Sequence, residues 1–238
     1  MNGAVNLVSQ KLGIILTRTA NGMSLIHMVI IQNHSVIELL IGIIYLLFQD
    51  IIQRNINKMT CVIAYRRNIN KIILASDKMA SNYYSKQITK ESKIFEKNGF
   101  HIGCTTSFRM IQILKHIWYP PDRKIKQNTE QYLYKDVVES IRACFKANGF
   151  GDATKEVYGN FILIYENRIF EMQNDLSLME SEMIVTAVGS GEDYAIASIM
   201  ALLSYEKNDK KLLTRTFDII SSVATTVSKE FEIITIGE

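Results

Sequence analysis

From position 60 onward, short β-branched and apolar runs alternate with polar turns, and longer stretches follow in which apolar residues recur every three or four positions. Thr60-Cys-Val-Ile-Ala-Tyr65 and Lys71-Ile-Ile-Leu-Ala-Ser-Asp77 predict two strands, and the polar link Arg66-Arg-Asn-Ile-Asn70 makes them a hairpin. Lys93–Lys97 and Phe100–Cys104 predict a second hairpin around Asn98-Gly99. Phe108, Ile111, Leu114 and Trp118 recur at helical spacing, and Pro120-Pro121 ends that run. A second helix is predicted over Leu133–Asn148, with Val137, Val138, Ile141 and Phe145 as its apolar stripe and Gly149 closing it. Strands return at Phe161–Tyr165, Arg168–Met172 and Met183–Val188, with a polar loop around Asn174-Asp175. Helices over about Gly191–Ser204 and Lys210–Lys229 and a closing strand Glu232–Ile236 complete the pattern. Helices segregated from antiparallel strands mean an α+β fold, and strands apolar on both faces predict a four-layer αββα sandwich.

The first quarter of the chain reads differently. Only six charged residues precede position 59 (Lys11, Arg18, Glu38, Asp50, Arg54 and Lys58), against 45 in the following 180 residues. Val36–Phe48 is almost wholly apolar but spans only 13 residues and contains Glu38, which is short for a membrane helix. The pattern divides the chain into an apolar N-terminal extension, 1–59, and a domain, 60–238. Three readings of the extension stay open: an overlong gene start with Met59 as the true initiator, a propeptide, or a membrane anchor. No membrane association is expected of 60–238.

Composition narrows the function. A net charge of +3, with basic residues interspersed among acidic ones, does not point to nucleic acid. Three widely spaced cysteines, Cys61, Cys104 and Cys144, argue against a disulfide framework and for a reducing, cytoplasmic location. His101 and Cys104 form an isolated H-x-x-C pair with no further ligands nearby, and there is no phosphate-cradling glycine loop. No metal or cofactor is expected.

The candidate chemistry lies in Met59-Thr-Cys-Val-Ile-Ala-Tyr-Arg-Arg-Asn-Ile-Asn-Lys-Ile-Ile-Leu-Ala-Ser-Asp-Lys78. This segment resembles the opening of HslV and, more loosely, of proteasome β-subunits, which are N-terminal-nucleophile (Ntn) hydrolases. Ala187-Val-Gly-Ser-Gly-Glu-Asp-Tyr-Ala-Ile-Ala197 is similar to the run that enters that family's third helix, and the likeness covers about three quarters of the chain. It implies Thr60 as nucleophile, with Asp77 17 residues later and Lys93 a further 16 on. It implies that Ser190 hydrogen-bonds near the terminal amine, although with Asp193 three residues on it is equally a helix N-cap. The oxyanion-binding backbone N–H falls to Thr106, with Thr105 and Ser107 as neighbouring alternatives where the family has glycines. Ser222 stands where the family commonly carries a supporting Asp. Cys61 is a rival nucleophile, out of register with Asp77 and Lys93.

The resemblance further implies a threonine peptidase acting on unfolded polypeptide inside a homo-oligomeric ring, served by an ATP-dependent unfoldase. A catalytically silent ring or scaffold subunit and an Ntn amidase for small molecules are the alternatives. The physics of the first reading is specific. A threonine hydroxyl needs a neighbouring base, and a free α-amino group, with an ordinary pKa of about 7.7–8.0, supplies one only if Thr60 is the first residue.

Overall fold

The computed structural model describes residues 16–18, 24–26, 42, 60–81, 86–105, 107–151 and 159–238. The chain divides into two compact units, Met1–Asn55 and Ile56–Glu238. In the first, Leu16–Arg18 pairs antiparallel with Ser24–Ile26. The apolar stretch Val36–Phe48 lies outside the described residues except for Gly42.

The second unit holds two antiparallel sheets. The hairpin expected at the start of the domain is β1 (Cys61–Asn68) with β2 (Lys71–Asp77), in the register Val62 to Ser76 and Ala64 to Leu74. A short pair follows, β3 (Met79–Ser81) with β4 (Lys86–Ile88), which the sequence pattern does not announce. Then come β5 (Ile94–Lys97), β6 (Phe100–Cys104), β7 (Phe161–Tyr165), β8 (Arg168–Met172), β9 (Leu178–Glu180), β10 (Val185–Gly189) and β11 (Phe231–Gly237). The four-stranded sheet runs β10-β1-β2-β11, and the five-stranded sheet runs β9-β8-β7-β6-β5.

Alternation along the strands builds three apolar layers. Val62, Ala64, Ile72 and Leu74 of one sheet meet Ile94, Ile162, Ile164 and Ile169 of the other. The opposite residues of the four-stranded sheet, among them Cys61, Ile63, Ile73 and Ala75, face α4 (Glu192–Leu202) and α5 (Asp209–Val223) through Ile199, Leu213 and Phe217. Phe95, Ile102, Phe161 and Phe170 of the five-stranded sheet face the helices between β6 and β7. The expected four-layer αββα sandwich is therefore present. Gly103 lets the sheets approach closely, because a Cβ there would lie 2.5 Å from Val62 Cγ1.

Element ends differ from the sequence pattern for identifiable reasons. The first helix is α1 (Phe108–Gln112) continued by a wider π turn, Ile113–Ile117, before Trp118. The second starts earlier than expected, at α2 (Thr129–Gln131), because the Asn128 side chain accepts from Gln131 N at 2.7 Å. It continues through a π segment, Tyr132–Val137, into α3 (Val138–Ala147). The polar loop around Asn174-Asp175 is followed by a short edge strand, β9, and the next strand starts at Val185 rather than Met183.

The largest difference is at α5, which stops at Val223 and not Lys229. Val227 keeps helical spacing from Ile220, so the sequence reads as one helix. The backbone instead turns at Ala224, buries Val227 and sends Lys78 N to Glu230 O at 2.9 Å. That detour brings the last segment to the site.

Candidate active site

Thr60 immediately precedes β1, beside the end of β10 and the end of β2. Its φ of +98° is unusual for a β-branched residue. Gly189, at φ +105°, packs against it: a Cβ on Gly189 would lie 2.1 Å from Thr60 O, so only glycine fits.

Asp77 ends β2, fully buried. Its Oδ1 accepts from Cys61 N at 3.0 Å, and its Oδ2 accepts from Met79 N at 3.0 Å and from Ser228 N at 3.4 Å. Lys93 reaches in from the start of β5 on the other sheet. Its Nζ donates to Thr60 Oγ1 at 2.7 Å, Asp77 Oδ1 at 2.9 Å and Met79 O at 2.8 Å. Three donors on an ammonium thus meet three acceptors. The lysine side chain is 2% exposed and its aspartate partner 0%. Burial lowers the Lys93 pKa from its ordinary value, and the Asp77 carboxylate opposes that shift. The arrangement aims a charge-assisted donor at the threonine oxygen, a geometry suited to stabilising negative charge on that oxygen.

Ser190 follows the end of β10, and its Oγ donates to Thr60 O at 3.3 Å. It makes no side-chain cap on α4, whose cap position is Gly191. Its other partner is Thr226 Oγ1, at 2.6 Å. A hydroxyl has one proton, so if Ser190 donates to Thr60 O, Thr226 donates to Ser190. Ser222 is not that partner: its hydroxyl turns back to Ile219 O at 2.7 Å on the exposed side of α5. The sequence missed Thr226 because apolar spacing continues to Val227. The signal available was the β-branched run Thr225-Thr226-Val227, a poor helix end.

Thr60, Asp77, Lys93 and Ser190 are thus one contiguous group. Thr106 lies outside the described residues. Of its neighbours, Thr105 N donates to Asn160 O at 3.3 Å and Ser107 N to Thr105 O at 2.8 Å, so both of those backbone donors are engaged within the chain. Cys61 is excluded as a nucleophile. Its side chain enters the layer beneath α4 and α5, and burial, reinforced by Asp77, raises its thiol pKa well above the ordinary value. His101 and Cys104, three apart on β6, sit on opposite faces of the strand; Cys104 is in the helix-side core and His101 Nε2 lies 3.9 Å from Glu96. Among the described residues no group of three or more His, Cys, Asp or Glu is placed to hold a metal, and no helix is long and apolar enough to cross a membrane.

No family model and no curated protein sequence matches the chain. Solved structures do. Thiobacillus denitrificans BPH is 15% identical, with a TM-score of 0.63 over 75% of this chain and 98% of that one, and its complex with epoxomicin gives the same values. HslV from Trypanosoma brucei is 14% identical, with a TM-score of 0.55 over 75% of this chain and all of that one. With its two facing antiparallel sheets, flanking helices and these structural neighbours, the chain has the proteasome-type Ntn-hydrolase fold.

Proposed function

We propose that residues 60–238 form a threonine peptidase in which Thr60 Oγ is the nucleophile. The observation that carries this reading is the 2.7 Å bond from Lys93 Nζ to Thr60 Oγ1, with Asp77 holding the same nitrogen at 2.9 Å. With Thr60 as first residue, its α-amine takes the hydroxyl proton as Oγ attacks a peptide carbonyl. The Lys93 ammonium stabilises the charge that develops on Oγ, and Asp77 fixes the lysine. The tetrahedral intermediate collapses to an ester, the protonated amine gives its proton to the leaving nitrogen, and water then hydrolyses the ester. The Thr106 backbone N–H is the proposed oxyanion donor, since those of Thr105 and Ser107 are engaged.

On this proposal residues 1–59 are absent from the working enzyme, which acts on unfolded polypeptide inside a homo-oligomeric ring fed by an ATP-dependent unfoldase. The neighbour HslV supports that assembly by likeness of fold. The three free cysteines fit a cytoplasmic site of action. The alternative, a catalytically silent ring subunit, draws on one observation: the group behind Ser190 is the neutral hydroxyl of Thr226, while Ser222 stands where the resemblance leads one to expect a supporting Asp.

A chain beginning at Thr60 is expected to hydrolyse fluorogenic peptides. Thr60→Ala should reduce turnover on the order of 10³-fold or more while leaving assembly intact. Epoxomicin, bound in the solved BPH complex, should block the wild-type activity. Turnover that survives Thr60→Ala defeats the proposal, and so does an assembled protein beginning at Thr60 that cleaves no peptide.

A further inference from the structure

β11 forms the outer edge of the four-stranded sheet, beside β2. Its even-numbered positions Ile234 and Ile236 border the layer between the sheets, and Glu232 shares their parity. A carboxylate on an inward face is costly unless donors satisfy it. Two do. Glu232 Oε1 accepts from Ser76 Oγ at 3.0 Å, directly across the β2–β11 ladder, and from the backbone N–H of Lys93 at 2.8 Å. Ser76 is fully buried, and Lys93 belongs to the other sheet, one residue before β5. One carboxylate oxygen therefore ties the two sheets together at the residue from which the lysine side chain extends. The Lys93 carbonyl is held as well, accepting from Cys104 N at 2.9 Å, so both backbone polar groups of this lysine are fixed.

The geometry points to Glu232 as a positioning residue: it anchors the Lys93 backbone across the sheet interface and adds a second negative charge, beyond contact distance, to the surroundings of the ammonium that meets Thr60. The proposed function supplies only the use made of Lys93; the placement of Glu232 stands apart from it. The groups that face Lys93 are Asp77 from β2, Glu232 from β11, Cys61 from β1, the Thr60 hydroxyl and the Met79 carbonyl. Burial pushes the lysine toward its neutral form, and Asp77 and then Glu232 push it back. Without the second carboxylate, a larger fraction of Lys93 is neutral at alkaline pH. A neutral amine neither stabilises the Thr60 alkoxide as strongly nor holds the α-amine in its basic form.

Two side-chain changes separate charge from anchoring. Glu232→Gln keeps an oxygen for Lys93 N and removes the charge. Glu232→Asp keeps the charge and shortens the reach by one methylene. The direct readout is the titration of Lys93 followed by NMR in protein carrying ¹³Cε-labelled lysine, with the signal assigned by its loss in Lys93→Met.

Glu232→Gln should lower the Lys93 midpoint by on the order of half a pH unit, and Glu232→Asp should lower it less. In turnover, Glu232→Gln should move the alkaline limb of kcat/KM downward in pH by the same amount, with KM held. An unchanged Lys93 midpoint in Glu232→Gln, or equal shifts in the two variants, overturns the inference. If Glu232→Gln does not fold, amide exchange at Lys93 in the wild type decides. Protection like that of the β5 strand amides supports the anchor, and exchange at the rate of an exposed loop overturns it. The titration reads Lys93 whether or not the protein cleaves peptides, so a failed peptidase and a failed role for Glu232 give different results.

Discussion

The β1–β2 hairpin carries a lysine–aspartate pair at each end, both at 2.9 Å, and they do opposite work. At the turn end, Lys71 Nζ meets Asp209, which also accepts from Tyr65 Oη at 2.9 Å and Arg67 Nε at 2.6 Å. Asp209 is the first residue of α5, where the helix dipole favours an anion. Burial pushes its carboxyl up, but the bonds from Lys71, Arg67 and Tyr65 outweigh that and hold it below its ordinary value. The Lys71 side chain is 27% exposed. Two cations share this one carboxylate, and Arg67 Nη1 also donates to the Leu203 and Glu206 carbonyls, so the cluster ties the hairpin to α5.

At the open end, Lys93 is all but sealed from water and its pKa is lowered despite Asp77. Its third proton is spent on the hydroxyl of Thr60 and not on a second carboxylate. An ion pair of equal length is structural where its carboxylate is fully engaged and water has access to the lysine. It becomes chemically loaded where burial works against the charge and one donor is aimed at a potential nucleophile.

The largest effect should separate the two lysines. Lys93→Met is expected to reduce peptide turnover on the order of 10³-fold, and Lys71→Met to change it less than about twofold. Comparable losses in both, measured on assembled protein, would erase the distinction. Next in size is stability. Asp209→Ala removes at once the acceptor of Arg67 Nε, the Tyr65 hydroxyl and Lys71 Nζ, and should cost about 2 kcal/mol in urea unfolding. Turnover per folded molecule should be unaffected. Lys71→Met, which removes a partly exposed partner, should cost under about 1 kcal/mol.

A smaller effect follows from pH. The pKa of Lys93 is lower in the folded chain than in the unfolded one, so between those two values the unfolded state binds more protons. Stability contributed by this group therefore rises as pH climbs from its folded midpoint toward about 10.4, the ordinary lysine value. The unfolding free energy of the wild type, relative to Lys93→Met, should increase between neutral pH and about pH 10. A flat or falling difference would mean that burial does not work against this charge. The smallest effect is at the back of the site. Thr226→Val removes the hydroxyl that orients Ser190 and should lower kcat by about three- to tenfold with KM unchanged.

What the sequence revealed follows the same contrast. Strand and helix periodicity is set by burial, so the apolar runs holding Val62, Ala64, Ile72 and Leu74 read directly as a doubly covered strand pair. Thr60, Asp77 and Lys93 were legible because their spacing matches a known opening segment. Thr226 and Glu232 were not legible. Both depend on where Ala224–Glu230 leaves the helix, and the helical spacing of Ile220 and Val227 hides that turn. Glu232 did leave a trace, as an acid within the closing strand at the parity of Ile234 and Ile236. The β3–β4 pair left none, since Lys86, Gln87 and Ile88 are all exposed and carry no alternation.

The central claim is that Thr60 works with its own free amine. The most direct test is the intact mass and N-terminal sequence of the peptide-cleaving fraction made from the full gene in its own cell. The account predicts that active protein begins at Thr60. Full activity in protein that still carries Met59 or anything before it would contradict the account, because the amine that serves as base would then be locked in a peptide bond.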